Sequence, residues 1–116
     1  MKNTEPKRYL IHIRLDDDTF SVQRAHEIGQ AVQETMKHIS KNNFQLAYIT
    51  RDGSSFGIFV KTTYPAFAIK SILNGTQWEG DRTAVLSNDD KLLIIEIGQD
   101  FSGYGFSKAW TWLQYN

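Results

Sequence analysis

Three consecutive carboxylates, Asp16, Asp17 and Asp18, are the residues of this chain that most directly suggest catalysis. They follow an alternating apolar stretch, so we expect them at the end of a strand. Carboxylate oxygens are preferred Mg²⁺ ligands, and a metal held there could activate water for phosphodiester hydrolysis. The alternative is a solvated turn that caps the next helix, where carboxylates are also favourable. Asp16 and Asp18 are therefore the catalytic candidates, and Mg²⁺ is required only under this hypothesis.

Other kinds of catalytic or metal site have little support in the sequence. His12, His26 and His38 are spread too widely for a zinc motif, and the chain has no cysteine. The sequence contains neither a glycine-rich phosphate loop nor the sharp serine turn of hydrolases. Apart from the magnesium hypothesis, we therefore predict no metal and no cofactor.

The periodicity of apolar residues predicts the elements that would position these side chains. Strand-like alternation occurs at Tyr9–Leu15, Phe44–Thr50, Phe56–Lys61 and Lys91–Ile97, and helical spacing occurs at Phe20–Ile39 and Tyr64–Leu73. The resulting βαββαβ order predicts an α+β, ferredoxin-like sandwich with an antiparallel sheet of order 4-1-3-2. We expect residues 1–116 to form one such domain, with 1–7 flexible and 99–116 a C-terminal extension that includes a short helix from about Ser107.

Alternation within the strands predicts which side chains face the two helices. The expected core comprises Ile11, Ile13, Ile28, Val32, Ile58, Val60, Ile69, Ile95 and Ile97. The opposite sheet face, which carries Leu10, His12 and Arg14 of the first strand, is called the open face below. Its candidate binding or interface residues are His12, Arg14, Phe59, Lys61 and Glu96, and we expect Arg14 and Glu96 to pair across neighbouring strands.

The open face is predicted to be covered, because it holds several large apolar residues. A second subunit would make the chain a homodimer, and the C-terminal segment with Trp110, Trp112 and Leu113 is the other available cover. We expect Trp112 to be the more buried of the two tryptophans. Stacking of RNA bases is a weaker alternative, since the first strand offers Leu10 and His12 where an aromatic platform is needed.

Charge and composition narrow the classes of partner. The 116-residue chain has 13 basic and 13 acidic residues, so charge does not indicate nucleic-acid binding. No stretch is long and apolar enough to span a membrane, and the first residues do not form a secretory signal. Together with the absence of cysteine, these features predict a cytoplasmic protein without a membrane partner.

Both ends of the chain resemble a known family. Tyr9–Asp16 resembles the first strand of small prokaryotic proteins often labelled the SinR family, whose function is uncharacterised, and Asp89–Ile97 resembles their last strand. Gly105-Phe106-Ser107, followed by Trp112-Leu113, resembles their closing segment. These proteins are distantly similar to the small CRISPR-adaptation protein and to the virulence-associated protein D ribonucleases. The resemblance implies a ferredoxin fold that dimerises through its sheet.

The resemblance also bears on catalysis. The nuclease relatives hold a metal with an aspartate late in the first strand, and the matching position here is Arg14, which cannot bind a cation. We therefore predict a dimeric binding or regulatory module, with a protein partner as one option, rather than an enzyme. The alternatives are a metal-dependent endonuclease or ribonuclease that uses Asp16 and Asp18, and a regulatory domain that binds a small molecule.

Overall fold

The computed structural model describes residues 5–75 and 85–116 of the chain. Its elements are β1 (Lys7–Arg14), α1 (Val22–Ser40), β2 (Phe44–Ile49), β3 (Ser55–Thr62), α2 (Ala66–Leu73), β4 (Lys91–Ile97) and α3 (Ser107–Tyr115). Within these residues no helix has the length and apolar character needed to cross a bilayer. Residues 1–4, which belong to the segment expected to be flexible, and residues 76–84 lie outside the described residues.

The four strands form one antiparallel sheet in the order β2-β3-β1-β4. Counted from the other edge this is the predicted order 4-1-3-2, so the α+β class and the strand order are confirmed. β1 and β3 occupy the centre, where their side chains are covered on the helix side. Their opposite side chains are consequently placed in the middle of the open face.

Helix α1 begins at a serine cap and packs through one apolar stripe. The Ser21 Oγ accepts a hydrogen bond from the Arg24 N–H at 3.0 Å, which satisfies one free amide of the first turn. The predicted capping role of the aspartate cluster is therefore wrong. Asp16 instead accepts hydrogen bonds from the N–H and hydroxyl of Thr19, at 3.2 and 3.1 Å, in a turn that precedes the helix.

The hydrophobic core lies between the sheet and helices α1 and α2. Its predicted members on β1, β3 and both helices are buried, and they are Ile11, Ile13, Ile28, Val32, Ile58, Val60 and Ile69. This part of the core prediction is confirmed. Burial of these branched side chains on one face of the sheet supplies the main apolar contribution to folding.

The predicted orientation of β4 is wrong. Ile94 pairs with Ile11 and Ile95 pairs with Leu10, so Ile94 lies on the helix side and Ile95 on the open face. Ile95 is 49% exposed instead of buried in the core, and Ile97 shares its face. Since the strand is apolar at almost every position, both orientations bury hydrophobic side chains, and alternation alone could not distinguish them.

In this register Glu96 lies on the helix side of the sheet, so its predicted position on the open face is wrong. Glu96 pairs with Tyr9 on the helix side of the sheet and lies 4.0 Å from Lys7 Nζ. Burial, and then the negative charge of Glu96, raise the pKa of the Tyr9 phenol. The expected Arg14–Glu96 pair is therefore absent, and Arg14 lies 3.3 Å from Asp17 instead.

A buried carboxylate joins three parts of the fold. The Asp90 side chain is fully buried and accepts hydrogen bonds from the Arg24 guanidinium at 2.8 and 3.1 Å. It also accepts from the main-chain N–H groups of Asp16 and Ser87, at 2.8 and 2.9 Å. Burial by itself would raise the pKa of Asp90, but these hydrogen bonds and the charge of Arg24 lower it to about 2. The end of β1, the start of α1 and the turn before β4 thereby share one ionised group.

Candidate functional site

Helix α3 lies on the open face of the same chain. The Trp112 ring stacks on Phe59 at a centroid distance of 6.1 Å, and its Nε1–H donates to the Asn43 Oδ1 at 3.0 Å. Ala109 and Leu113 of this helix are buried. Docking of the C-terminal segment on the domain is therefore confirmed. Trp110 and Trp112 are both half-buried, so their predicted difference in burial stays a prediction.

Two cations from the sheet hold the C-terminal end of α3. Arg8 donates hydrogen bonds to the main-chain oxygens of Leu113, at 3.0 Å, and of Gly98. Lys61 donates from Nζ to the main-chain oxygen of Asn116 at 2.8 Å. The last carbonyls of a helix lack helical partners and carry partial negative charge, so cations stabilise them. Lys61, a predicted interface residue, thus contacts the chain's own C-terminal segment.

A pocket of about 320 Å³ lies between the sheet and the C-terminal segment, residues 98–116. Side chains of all four strands form its floor, namely Leu10, Ala47, Tyr48, Phe59, Ile95 and Ile97. The C-terminal segment forms its wall through Phe101, Ser102, Gly103, Phe106, Trp110 and Leu113. Apart from the Tyr48 hydroxyl and Ser102, this lining is aliphatic and aromatic. Such a surface suits the apolar body of a small molecule.

Tyr48 reaches the open face because β2 contains a bulge. Leu46 pairs with Ile58 and Tyr48 pairs with Gly57, so Ala47 is an extra residue on the edge strand. The Tyr48 ring covers Gly57, where an added Cβ would lie 2.5 Å from the Tyr48 Cε1. A side chain at position 57 would displace the ring, so the close approach explains the glycine.

Three side chains form a hydrogen-bonded group at one end of the pocket. The Tyr48 hydroxyl bonds the His12 Nδ1 and lies 3.4 Å from the Ser55 Oγ. The rings of Tyr48 and His12 are stacked at 5.7 Å. When Nδ1 carries no proton, the Tyr48 hydroxyl donates to it and the Ser55 hydroxyl can donate to Tyr48. The arrangement fixes a phenol at the pocket and can orient a polar group of a ligand.

Arg14 follows His12 on the same face of β1. Its Cα pairs with Ser55 on one side and with Lys91 on the other, so two cations are neighbours here. The Arg14 side chain is 47% exposed, and its partner Asp17 is 80% exposed. The polar end of the open face is therefore rich in groups that donate hydrogen bonds.

The catalytic candidates Asp16 and Asp18 lie in the turn after β1. The Asp16 carboxylate accepts from Thr19, whereas Asp18 is exposed. Over residues 5–75 and 85–116, no three His, Asp or Glu side chains are grouped closely enough to share a metal ion. The aspartates are thus placed near Arg14, outside the apolar pocket.

The sequence interpretation placed His12, Arg14, Phe59 and Lys61 on one face, and the structure has them there. It missed Tyr48, because simple alternation puts this residue on the side of Leu46. The available signal was Gly57 in the middle of a strand, which marks a close approach by a neighbouring group.

Comparisons of the chain with protein-family models, with curated proteins and with solved structures each found no match. The function is accordingly inferred from the geometry of the pocket and its polar end.

Proposed function

We propose that the chain is a ferredoxin-like module that binds a small, largely apolar molecule in the pocket on its open face. The observation that carries this proposal is the lined volume of about 320 Å³ between sheet and C-terminal segment. Small-molecule sites commonly enclose about 300–1,000 Å³, so the space suits a ligand of one or two rings. Its lining provides a large apolar area with few polar groups, as ligand pockets usually do.

Binding is favoured over hydrolysis by what the polar side chains already contact. Tyr48 is stacked on His12 and hydrogen-bonded to it, so the phenol is held in position to orient a ligand. The carboxylate of Asp16 accepts hydrogen bonds within its own turn, and Asp17 pairs with Arg14. The metal-dependent nuclease, with Mg²⁺ as cofactor, remains the alternative, and the resemblance to the SinR family is compatible with either function.

The proposal predicts that the neutral fluorophore N-phenyl-1-naphthylamine binds the protein with increased fluorescence. An Ala47→Phe variant should lose this binding, because the larger side chain fills space in the pocket. We expect at least about a tenfold increase in Kd, which corresponds to roughly 1.4 kcal/mol of binding free energy. Fluorescence titration of both proteins measures the change.

The matched control is Gln30→Phe, which adds the same ring to an exposed position of α1. Its Kd should equal that of the parent. Far-UV circular dichroism and melting curves establish that both variants are folded. Absence of binding to the parent, or equal binding by the Ala47→Phe variant, would contradict the proposal.

We also propose that the protein is a cytoplasmic homodimer. Helix α3 covers part of the open face, but Leu93 and Ile95 on β4 are 54% and 49% exposed. Pairing with a second copy would remove these apolar side chains from water. Sedimentation equilibrium at micromolar concentration should therefore give twice the 13.4 kDa chain mass. A monomer mass at every concentration would contradict this proposal and would leave ligand binding unaffected.

A further inference from the structure

We propose that the ligand is an amphipathic anion, whose apolar body fills the pocket and whose acidic group contacts His12 and Arg14. This inference rests on the proposed function and specifies its ligand class. Tyr48 connects the two parts of the site, because its ring lines the pocket and its hydroxyl bonds His12. A ligand that extends past this ring leaves the apolar lining and meets polar side chains.

The residues of β1 that can donate hydrogen bonds to a ligand follow one another along the strand, away from the pocket. Leu10 lies in the pocket floor, and His12 and Arg14 follow on the same face. Same-face residues of a strand are about 7 Å apart, so the imidazole adjoins the pocket and the guanidinium lies beyond it. A carboxylate, sulfonate or phosphate on a short arm spans this distance.

Two cations that can contact an anion are neighbours at this end of the open face, next to the aspartates of the turn after β1. Arg14 is paired in register with Lys91 on β4, and both residues are exposed. A guanidinium can hold two oxygens of an acidic group at once, and hydrogen bonds between charged groups are stronger than neutral ones. The neighbouring apolar surface excludes water on one side, which strengthens such contacts.

A negative charge already lies close to this position. The Asp17 carboxylate contacts Arg14 at 3.3 Å, but its side chain is 80% exposed. Exposed ion pairs contribute little free energy, so an incoming acid can replace Asp17 at small cost. Asp17 therefore neutralises Arg14 in the free protein without closing the site.

The test uses two probes that share one ring skeleton. N-phenyl-1-naphthylamine is neutral, and 8-anilinonaphthalene-1-sulfonate carries an added sulfonate. The parent protein should bind the sulfonate more tightly than the neutral probe. An Arg14→Gln variant should raise the Kd of the sulfonate by about tenfold, the cost of losing one charge-assisted hydrogen bond, and leave the neutral probe's Kd unchanged.

Two controls complete the design. Lys70→Gln removes one positive charge from an exposed position of α2, on the other side of the sheet, and should leave both Kd values unchanged. Ala47→Phe should weaken both probes, which places both in the same pocket.

The outcomes separate this inference from the proposed function. The parent protein could bind the neutral probe as tightly as the sulfonate, or the Arg14→Gln variant could bind the sulfonate with the parent's Kd. Either result would overturn the proposed anion site and leave the proposal of an apolar pocket standing. An equal increase in the Kd of both probes in Arg14→Gln would assign Arg14 a structural role and would also overturn the anion site. Failure of the parent to bind either probe would overturn both proposals.

Discussion

Replacing Ile11 with alanine is expected to lower the free energy of unfolding by about 2–5 kcal/mol. Ile11 is fully buried in the centre of β1, and its truncation removes apolar contacts and leaves a cavity in the core. Ile95→Ala deletes the same atoms from the adjacent strand and should cost less than about 1 kcal/mol, because that side chain is 49% exposed. Urea denaturation followed by circular dichroism measures both values.

This pair of variants tests the orientation of β4 directly. If Ile95→Ala were as destabilising as Ile11→Ala, the strand would have the opposite orientation, with Ile95 in the core. In the present register, Ile95 contributes to the pocket floor. The Ile95→Ala variant should therefore weaken binding of the neutral probe while it remains nearly as stable as the parent.

Substitution of Asp90 by asparagine should destabilise the fold by about 2–4 kcal/mol, since it removes one partner of a buried ion pair and leaves Arg24 without its counter-charge. The neighbouring Asp89→Asn change is the matched control. Asp89 is exposed, so its replacement should alter the free energy of unfolding by less than about 0.5 kcal/mol. Equal effects of the two variants would contradict the structural role of Asp90.

The depressed pKa of Asp90 also predicts a pH dependence. The pKa is about 2 in the folded protein, against an ordinary value of 3.8 in the unfolded chain. The unfolded state therefore binds the proton more readily, and the stabilisation from Asp90 is complete above pH 3.8 and is lost as the pH falls toward 2. The difference in Tm between the parent and Asp90→Asn should be constant near neutral pH and narrow over this interval. A difference that does not change with pH would contradict the assignment.

The order of elements could be predicted because most of the strands and helices have a clear apolar period. β1 alternates buried and polar positions, so the orientation of Ile11 and Ile13 was determined by the arginines on its other face. The bounds of β4 were also predicted correctly, at Lys91–Ile97. Periodicity therefore sufficed wherever one face of an element was polar.

The orientation of β4 could not be obtained in this way. Leu92 and Ile94 pack on the core, while Leu93 and Ile95 lie beside the pocket, so both faces carry aliphatic side chains. Its one acidic residue, Glu96, was assigned to the open face because it alternates with Ile95 and Ile97, which were assigned to the core. Pairing with Lys7 at the end of the sheet satisfies it on the helix side instead.

The polar end of the candidate site could not be predicted from the sequence, because β2 contains a single extra residue. The bulge at Ala47 reverses the alternation of β2 and brings Tyr48 beside His12. Bulges have no reliable signature in one sequence, although they often occur on edge strands and next to functional sites. The pocket itself depends on where the C-terminal segment docks, which strand and helix periods do not specify.

The docked C-terminal segment makes the pocket a site in two parts, one from the sheet and one from residues 98–116. A ligand in contact with both parts gains free energy only when the segment is in place, so occupancy and docking are thermodynamically linked. The linkage is reciprocal: whatever strengthens the Trp112–Phe59 contact raises affinity, and a bound ligand opposes undocking by the same free energy. The segment would then act as a reporter of occupancy, since ligand binding would change its own protection from hydrogen exchange and proteolysis.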